Sequence, residues 1–336
     1  MTTIIKTNCL SPAQYSEIQN LQQKASKIDG FTTHFYWNAM KIRPDDLLCD
    51  YLLYKNINNQ PQLVACLSIF FFDETEQTVE VCALTHPNHR KQGYFFRLLT
   101  ETVLELMATP TTSLLFCTPK NATASKNLLK KLNAHYDSSE IKWSLTLGNN
   151  KDLPLFNHRI PLSENFKIKK VQLNKENSED LIQLAQINAA CFNTDIADET
   201  AFLEKTKEDK NRAAFFIFHR ANHKNKNKNY ALIGKSGLQN KNEGKLIHDF
   251  CLLPEYANMD KLWEASLMGL LQYLCAHCKS STTFFVEANT NHPKEIKLYK
   301  KLGFALSDTL EFWRLPLTHA TTALGSSPLP ESLALH

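Results

Sequence analysis

Apolar residues in the first 147 positions follow helical spacing in some segments and the pattern of buried strands in others. Ser11 and Pro12 suit the start of a helix, because a hydroxyl caps the first turn and proline fits its first position. Helical spacing then continues to about residue 26. The pattern predicts further helices at 95–107 and 122–132. It predicts strands at 50–55, 63–72, 78–85, 113–117 and 140–147.

The same order of elements returns in the second half, which indicates a duplicated domain. At one constant spacing, Asn121 corresponds to Asn291, a Lys-Lys-Leu run ending at Leu132 corresponds to one ending at Leu302, and a tryptophan recurs. The alternative is chance similarity between two helix–strand endings. The predicted elements are helices ending at residues 191 and 302, a helix at 261–277, and strands at 213–219, 230–238, 245–253, 284–288 and 310–315.

This repeat predicts four parts of the chain. Residues 1–147 form the first domain and residues 167–317 the second. Between them, 148–166 is polar and contains two prolines, so it is the predicted linker. The small, polar stretch 318–336 is predicted to be a flexible tail.

Composition and charge exclude several classes of protein. A net charge of +4 is too small to indicate nucleic-acid binding. The longest apolar run, 63–72, is half the length of a membrane span, and the first ten residues show no secretory signal. Nine scattered cysteines favour reduced thiols, hence a cytoplasmic protein. Export as an effector is the alternative that the polar tail leaves open. No metal is expected, since Cys275 and Cys278 have no second pair nearby and suit helix packing.

The segment from Thr85 to Phe95 joins a predicted strand to a predicted helix and carries the clearest chemistry in the chain. The first amides of a helix have no intrahelical partners and lie at the positive end of its dipole, which suits an anion. Gly93 allows the backbone to approach a phosphate closely, and Arg90 and Lys91 add positive charge. The segment therefore predicts a diphosphate site.

This segment resembles the loop of the Gcn5-related N-acetyltransferase (GNAT) superfamily, whose signature is Arg/Gln-x-x-Gly-x-Gly/Ala between a strand and a helix. Arg90 and Gly93 match, whereas Phe95 replaces the small third residue. Residues 296–304, Ile-Lys-Leu-Tyr-Lys-Lys-Leu-Gly-Phe, resemble the family's Ile-x-Leu-Tyr-x-x-x-Gly-Phe. The resemblance implies two tandem α/β domains. Each has a mixed, mostly antiparallel sheet flanked by helices, with two central strands splayed apart.

The resemblance also implies acetyl-CoA as co-substrate, with its pantetheine arm between the splayed strands 78–85 and 113–117. Backbone groups at the end of the first strand bind pantetheine and polarise the thioester carbonyl. Asn121 either contacts pantetheine or caps a helix. The predicted cofactor-binding residues are Leu84, Thr85, Arg90, Lys91, Gln92, Gly93, Tyr94, Phe95 and Asn121.

The second copy of the loop differs in charge. Ala257 replaces Arg90 and Asp260 replaces Gly93, so this loop is expected to repel a diphosphate. The second domain is therefore a degenerate copy, which either shapes the acceptor site or stabilises the pair.

Catalysis by the first domain requires a base that deprotonates the amine, because free alkyl amines are largely protonated at neutral pH. Glu80 is the predicted base. In many family members a tyrosine protonates the departing thiolate. The second copy has Tyr299 at this position, and helix packing is the alternative role of that residue. The first copy has Leu129 there. The sequence leaves open whether Tyr36 or Tyr136 serves as the acid in its place.

These features predict an acyl-CoA-dependent N-acyltransferase that transfers an acetyl group to a primary amine of a small molecule or protein by direct attack. Two alternatives remain. The chain is a non-catalytic CoA-binding or protein-interaction protein, because neither domain has a complete site, or the second domain is the catalytic one and acts through Tyr299.

Overall fold

The computed structural model describes residues 2–41, 47–71, 77–146, 166–172, 179–220, 230–279 and 281–325. Contacts divide the chain into two compact units. The first combines Met1–Glu140 with Thr309–His336, and the second is Ile141–Asp308. Residues 148–165 of the predicted linker lie outside the described residues, as does the end of the predicted tail after residue 325.

The first unit is a mixed sheet with helices on both faces. Its strands have the order β1-β2-β3-β4-β5-β12, and of these pairs only β4–β5 is parallel. The strands are β1 (Thr2–Thr7), β2 (Asp50–Ile57), β3 (Gln60–Phe70), β4 (Thr78–Thr85), β5 (Ser113–Pro119) and the second part of β12 (Ala305–Pro316). The helices are α1 (Pro12–Asp29), α2 (Tyr94–Leu106), α3 (Thr123–Lys131) and α8 (Leu317–Gly325).

The predicted start of α1 is confirmed. The Ser11 hydroxyl accepts a hydrogen bond from the Gln14 amide at 3.2 Å, and the Gln14 side chain accepts one from the Ser11 amide at 2.9 Å. These reciprocal bonds satisfy two amides of the first turn. The helix ends at Gly30, whose φ of 73° suits a residue without a Cβ.

Alternation along β4 separates the two faces of the first sheet. Val79 and Val81 pack with α2, whereas Cys82 and Leu84 pack on the opposite face with α1. Successive strand residues point to opposite faces. Glu80 therefore lies on the α1 face, with Cys82 and Leu84.

The second unit repeats this arrangement, with strand order β7-β8-β9-β10-β11-β6 and a parallel β10–β11 pair. Its strands are β6 (His135–Thr146, from Ile141 onward), β7 (Phe166–Lys170), β8 (Arg212–His219), β9 (Ala231–Lys241), β10 (Gly244–Leu252) and β11 (Thr283–Asn289). Its helices are α4 (Glu179–Phe192), α5 (Ile196–Thr206), α6 (Asp260–His277) and α7 (Pro293–Lys301).

The closing strands are exchanged between the repeats. Residues 310–316 of β12 pair antiparallel with Ser113–Pro119 of β5 in the first unit. The end of β6 neighbours β11 in the second unit. The sequence-based domains 1–147 and 167–317, each closed by its own last strand, therefore need correction. Both repeats end in the same strand pattern, so the pattern cannot show which copy closes which sheet.

The two repeated tryptophans follow this exchange. Trp313 packs in the core of the first unit, with the Lys130 ammonium 5.6 Å from its ring centre. Trp143 packs in the core of the second unit, with Lys300 at 5.5 Å. Each lysine thus covers the tryptophan that comes from the other repeat.

Four described α-helices and β-strands were not predicted. Helix α8 corrects the flexible tail over residues 318–325, because Leu317 and Ala320 are buried in the first unit's core. Strands β1 and β7 are short edge strands with weak apolar patterns. Helix α5 is the fourth, and the sequence does contain a start signal for it in Asp195. The Asp195 carboxylate caps the helix by accepting a hydrogen bond from the Ala197 amide at 2.7 Å.

Candidate functional site

The loop before α2 has the backbone geometry of an anion site. Pro87–His89 forms a short 3-10 turn, and Lys91 and Gly93 follow with φ of 60° and 74°. Gly93 occupies the N-cap position of α2 and offers no side chain to the first turn. The first amides of α2 also have no intrahelical acceptor, so they remain available to a ligand.

Arg90 does not have the position expected for a phosphate ligand. Its Nη1 and Nη2 donate to the two carboxylate oxygens of Asp29 at 2.7 and 2.6 Å, and its Nε donates to the Thr85 carbonyl at 3.4 Å. The arginine thus ties the loop to the end of α1. Its charge is largely compensated by the bidentate partner.

The neighbouring side chains extend this network. The Gln92 side-chain oxygen accepts a hydrogen bond from the Tyr94 hydroxyl at 2.9 Å and one from Lys55 Nζ at 3.3 Å. Lys91 is exposed. The Phe95 ring is half-buried and contacts the Phe116 ring at 6.2 Å between centres. The large residue at the third signature position therefore packs against the core.

The electrostatics around the loop favour an anion. Burial lowers the pKa of His86 below its usual value, and the charges of His89, Lys24 and Arg90 lower it further. A surrounding positive potential disfavours a protonated imidazole and favours a negative ligand.

The predicted splaying of the two central strands is confirmed. Strand β4 pairs with β5 only from Thr78 to Val81, opposite residues 113–116. Residues 82–85 continue to pair with β3 on the other side. Their β5-facing edge, which includes Leu84 and Thr85, therefore has no strand partner within the described residues. An extended ligand fits such an edge as an added strand.

Glu80 and Tyr36, which sequence reasoning considered separately as base and substitute acid, lie together. The Tyr36 hydroxyl donates to Glu80 Oε2 at 2.5 Å. Burial raises the pKa of Tyr36 far above its usual value, and Cys117 and Glu80 add to this shift. Tyr36 is therefore a neutral donor throughout the physiological range. It lies in the segment after α1, and its ring centre is 4.9 Å from that of Phe70.

The other candidates are placed away from this pair or are unreactive. Tyr136 is exposed on β6 and bonds to the Ser139 hydroxyl at 2.9 Å. A hydrogen bond with Cys82, together with burial, raises the pKa of the Cys117 thiol, which opposes a nucleophilic role. Asn121 is exposed in the turn after β5, and Ala122 occupies the N-cap of α3. Leu129 is buried in the core.

The second unit differs at the matching positions. Helix α6 begins at Asp260, which puts a carboxylate in its first turn. Strand β10 carries a bulge between His248 and Cys251, with Asp249 at a φ of 48°. Tyr299 is 5% exposed and lines a cavity in this unit. It is thus both a packing residue and a cavity residue.

Two further features of the described residues concern metal ions and membranes. No group of three or more histidine, cysteine or acidic side chains there is arranged to hold a metal ion. No helix there is long and apolar enough to cross a bilayer.

Comparison with known proteins identifies the fold. No family model and no curated protein sequence matches this chain. Among solved structures, a tandem GNAT protein from the clavulanic acid biosynthesis pathway is similar, with a TM-score of 0.68 and 15% identity. The match covers 94% of this chain and 99% of that one. A GCN5-related N-acetyltransferase from Sphaerobacter thermophilus has a TM-score of 0.65 and 11% identity, with 94% and 96% covered.

A third similar structure is a GNAT-family acetyltransferase from Colwellia psychrerythraea, with a TM-score of 0.54, 12% identity, and 93% and 99% covered. At these identities the likeness concerns the fold alone. The chain therefore has the tandem GNAT fold, with two GNAT-like units, as its sequence motifs predicted.

Proposed function

We propose that this chain is an acyl-CoA-dependent N-acyltransferase that transfers an acetyl group from acetyl-CoA to a primary amine. The first unit binds the coenzyme, and the second shapes the acceptor site or stabilises the first. The proposal rests on three features that occur together in the first unit. They are the uncapped helix N-terminus at Gly93, the unpaired edge of β4 and the Glu80–Tyr36 pair.

The proposed roles follow from these positions. The first amides of α2 bind the diphosphate, and the free edge of β4 near Leu84 holds the pantetheine. Acetyl-CoA supplies the activated acyl group. Glu80 accepts a proton from the ammonium of the acceptor, so that the neutral amine attacks the thioester carbon directly.

Tyr36 positions the Glu80 carboxylate by its hydrogen bond and remains protonated. As the C–N bond forms, the C–S bond breaks and the thiolate leaves. The thiolate takes its proton from water, and the water is reprotonated by the second proton that the new amide nitrogen loses, since Leu129 offers none and Tyr36 stays protonated.

The titration that tests this proposal uses the full chain and acetyl-CoA in a calorimeter, followed by a thiol-release assay with a panel of primary amines. We expect one equivalent of acetyl-CoA per chain and amine-dependent release of CoA. No binding, or two equivalents, contradicts the assignment of the coenzyme to the first unit alone.

Tight binding without CoA release for any amine supports the second candidate, a non-catalytic CoA-binding or interaction protein. Leu129 favours this candidate, because a buried leucine replaces the tyrosine that the resemblance leads us to expect. We further propose a cytoplasmic location, supported by nine free cysteines. Export as an effector is the alternative, and cell fractionation of the native protein distinguishes the two.

A further inference from the structure

Two cysteines of the second unit lie side by side although they are far apart along the chain. Cys191 is in the last turn of α4, and Cys251 follows the bulge of β10. The Cys191 thiol donates a hydrogen bond to the Leu252 carbonyl at 3.4 Å, and the two thiols are hydrogen bonded to each other. Both are free thiols that pack, partly buried, against the same apolar cluster. The fold therefore brings two reduced thiols into contact at the end of a helix.

A buried lysine lies beside these thiols. Lys235 of β9 pairs with Cys251 of β10, and residues directly opposite each other in an antiparallel pair project to the same face. The Lys235 side chain is 4% exposed, and its Nζ lies 4.7 Å from the centre of the Phe192 ring. Because Phe192 follows Cys191 directly, the lysine extends from Cys251 on the sheet to the end of α4.

The ammonium of Lys235 has a weak ion pair for a buried charge. Within the described residues its carboxylate partner is Asp249, with Nζ 3.9 Å from Oδ2, and that side chain is half-exposed. His248 Nδ1 lies closer to the same oxygen, at 2.8 Å. A buried charge is costly unless it is closely paired. A thiolate next to Lys235 therefore stabilises the ammonium and is stabilised by it.

The two thiols differ in acidity. A hydrogen bond from Cys251 and the charge of Lys235 lower the pKa of Cys191, although burial and the charge of Glu255 oppose this shift. The same hydrogen bond and burial raise the pKa of Cys251. The thiolate is the reactive form of cysteine, and a redox-sensitive thiolate commonly has a second thiol beside it. Cys191 is thus the attacking thiol, and Cys251 the one that resolves the product.

We propose that Cys191 and Cys251 form a peroxide-reactive dithiol, with hydrogen peroxide as the oxidant. The Cys191 thiolate attacks one peroxide oxygen, so that an S–O bond forms, the O–O bond breaks and hydroxide leaves. Cys251 then attacks the sulfur of this sulfenic acid. The S–S bond forms, the S–O bond breaks, and the oxygen leaves as water with the Cys251 proton.

The hydroxide takes up the proton that Cys191 lost, so two thiols and one peroxide give one disulfide and two waters. The disulfide links the end of α4 to β10. The proposal goes beyond the acyltransferase function and holds whether or not the first unit is catalytic.

The second unit also offers a matched pair of cysteines as a control. Cys275 and Cys278 are partly buried at the end of α6. Burial and the charge of Cys278 raise the pKa of Cys275 to about 11. This pair has similar exposure but a less acidic thiol, so we expect it to react more slowly with peroxide.

Peptide mapping by mass spectrometry of the full chain tests the proposal. The reduced protein is treated with one equivalent of hydrogen peroxide, its remaining thiols are alkylated, and it is digested with trypsin. We expect the peptides that contain Cys191 and Cys251 to be joined, with the loss of two hydrogens, in the monomeric protein. Cys275 and Cys278 are expected to be recovered in alkylated form.

Two variants test the separate roles. Cys251→Ser leaves the sulfenic acid without a resolving thiol, so dimedone labels Cys191 about fivefold more than in the wild type. Lys235→Met replaces the ammonium with an apolar chain of similar length and slows disulfide formation about tenfold. Lys169→Met is its control, because Lys169 of the same unit also lies over an aromatic ring, at 5.8 Å from the centre of Phe216, and it keeps the wild-type rate.

Four results overturn the proposal. They are the absence of a joined Cys191–Cys251 peptide, a disulfide of Cys191 that links two chains, oxidation of the Cys275–Cys278 pair at the same rate, or an unchanged rate in Lys235→Met. Circular dichroism shows that each variant is folded. The mapping of the wild-type protein decides the first three results without any variant.

Discussion

Gly93 and Asp260 stand at matching positions of the two halves, ahead of α2 and at the start of α6. The glycine leaves the helix amides open to an anion, whereas the aspartate fills the first turn with a negative charge. The strands beside them diverge as well, since β4 is regular against β3 and β10 is bulged against β9. One repeated pattern therefore carries different charges at its two helix starts.

The tyrosine that the resemblance places near the thiolate is present in the second half and absent from the first. The second half retains Tyr299 beside an acidic cavity, and the first half has Leu129 in its core. The first half instead obtains a tyrosine from another segment, because Tyr36 contacts Glu80. The two copies thus have their tyrosines on different segments of the fold.

Truncation after residue 308 is expected to have the largest effect, on the fold and acetyl-CoA binding of the first unit. It leaves the whole first repeat but removes the part of β12 that pairs with β5, together with α8. We expect the first unit to lose its stable fold and all acetyl-CoA binding, measured by circular dichroism and calorimetry. Truncation after residue 325 keeps both elements and is the control. A protein of residues 1–147 that folds and binds by itself would show that the exchange is dispensable.

Glu80→Gln is expected to lower kcat about 10²- to 10³-fold, as for loss of a general base. Acetyl-CoA binding stays unchanged, because the carboxamide keeps a hydrogen bond with Tyr36. Steady-state kinetics with the best amine measures the effect. The chain offers a matched control in Glu17, whose carboxylate accepts the Tyr54 hydroxyl at 2.6 Å in the same unit. If Glu17→Gln lowers kcat equally, the effect is structural.

Gly93→Asp is expected to weaken acetyl-CoA binding about 100-fold, or ~2.7 kcal/mol. The substitution combines a strained positive φ with repulsion of the diphosphate, and it converts the first loop to the charge of the second. Gly93→Ala separates these causes, because it carries the strain alone and should cost about 1 kcal/mol, or roughly fivefold. Calorimetry compares the two. Equal affinities for both variants would mean that charge at this position is irrelevant.

Sequence patterns were most informative where the chemistry is local. The capped start of α1 and the strand-to-helix loop before α2 depend on neighbouring residues, so the sequence pattern predicted them. The exchanged strands depend on partners far along the chain, and identical patterns in both repeats hide them. The Tyr36–Glu80 bond joins residues 44 positions apart, and the Arg90–Asp29 pair joins residues 61 positions apart. No periodicity reports such contacts.

Substitution in the Arg90–Asp29 pair has the smallest expected effect. It distinguishes two roles of Arg90, which either attracts the diphosphate by its charge or holds the loop in place. Asp29→Asn keeps one hydrogen-bond acceptor for the guanidinium but removes the compensating charge. If Arg90 contributes charge once it is released, acetyl-CoA binds about threefold more tightly at low salt, within the range of a single exposed ion pair. This gain disappears at high ionic strength, because exposed charges are screened. Weaker binding at every salt concentration would instead show that the carboxylate is needed to hold the loop in place.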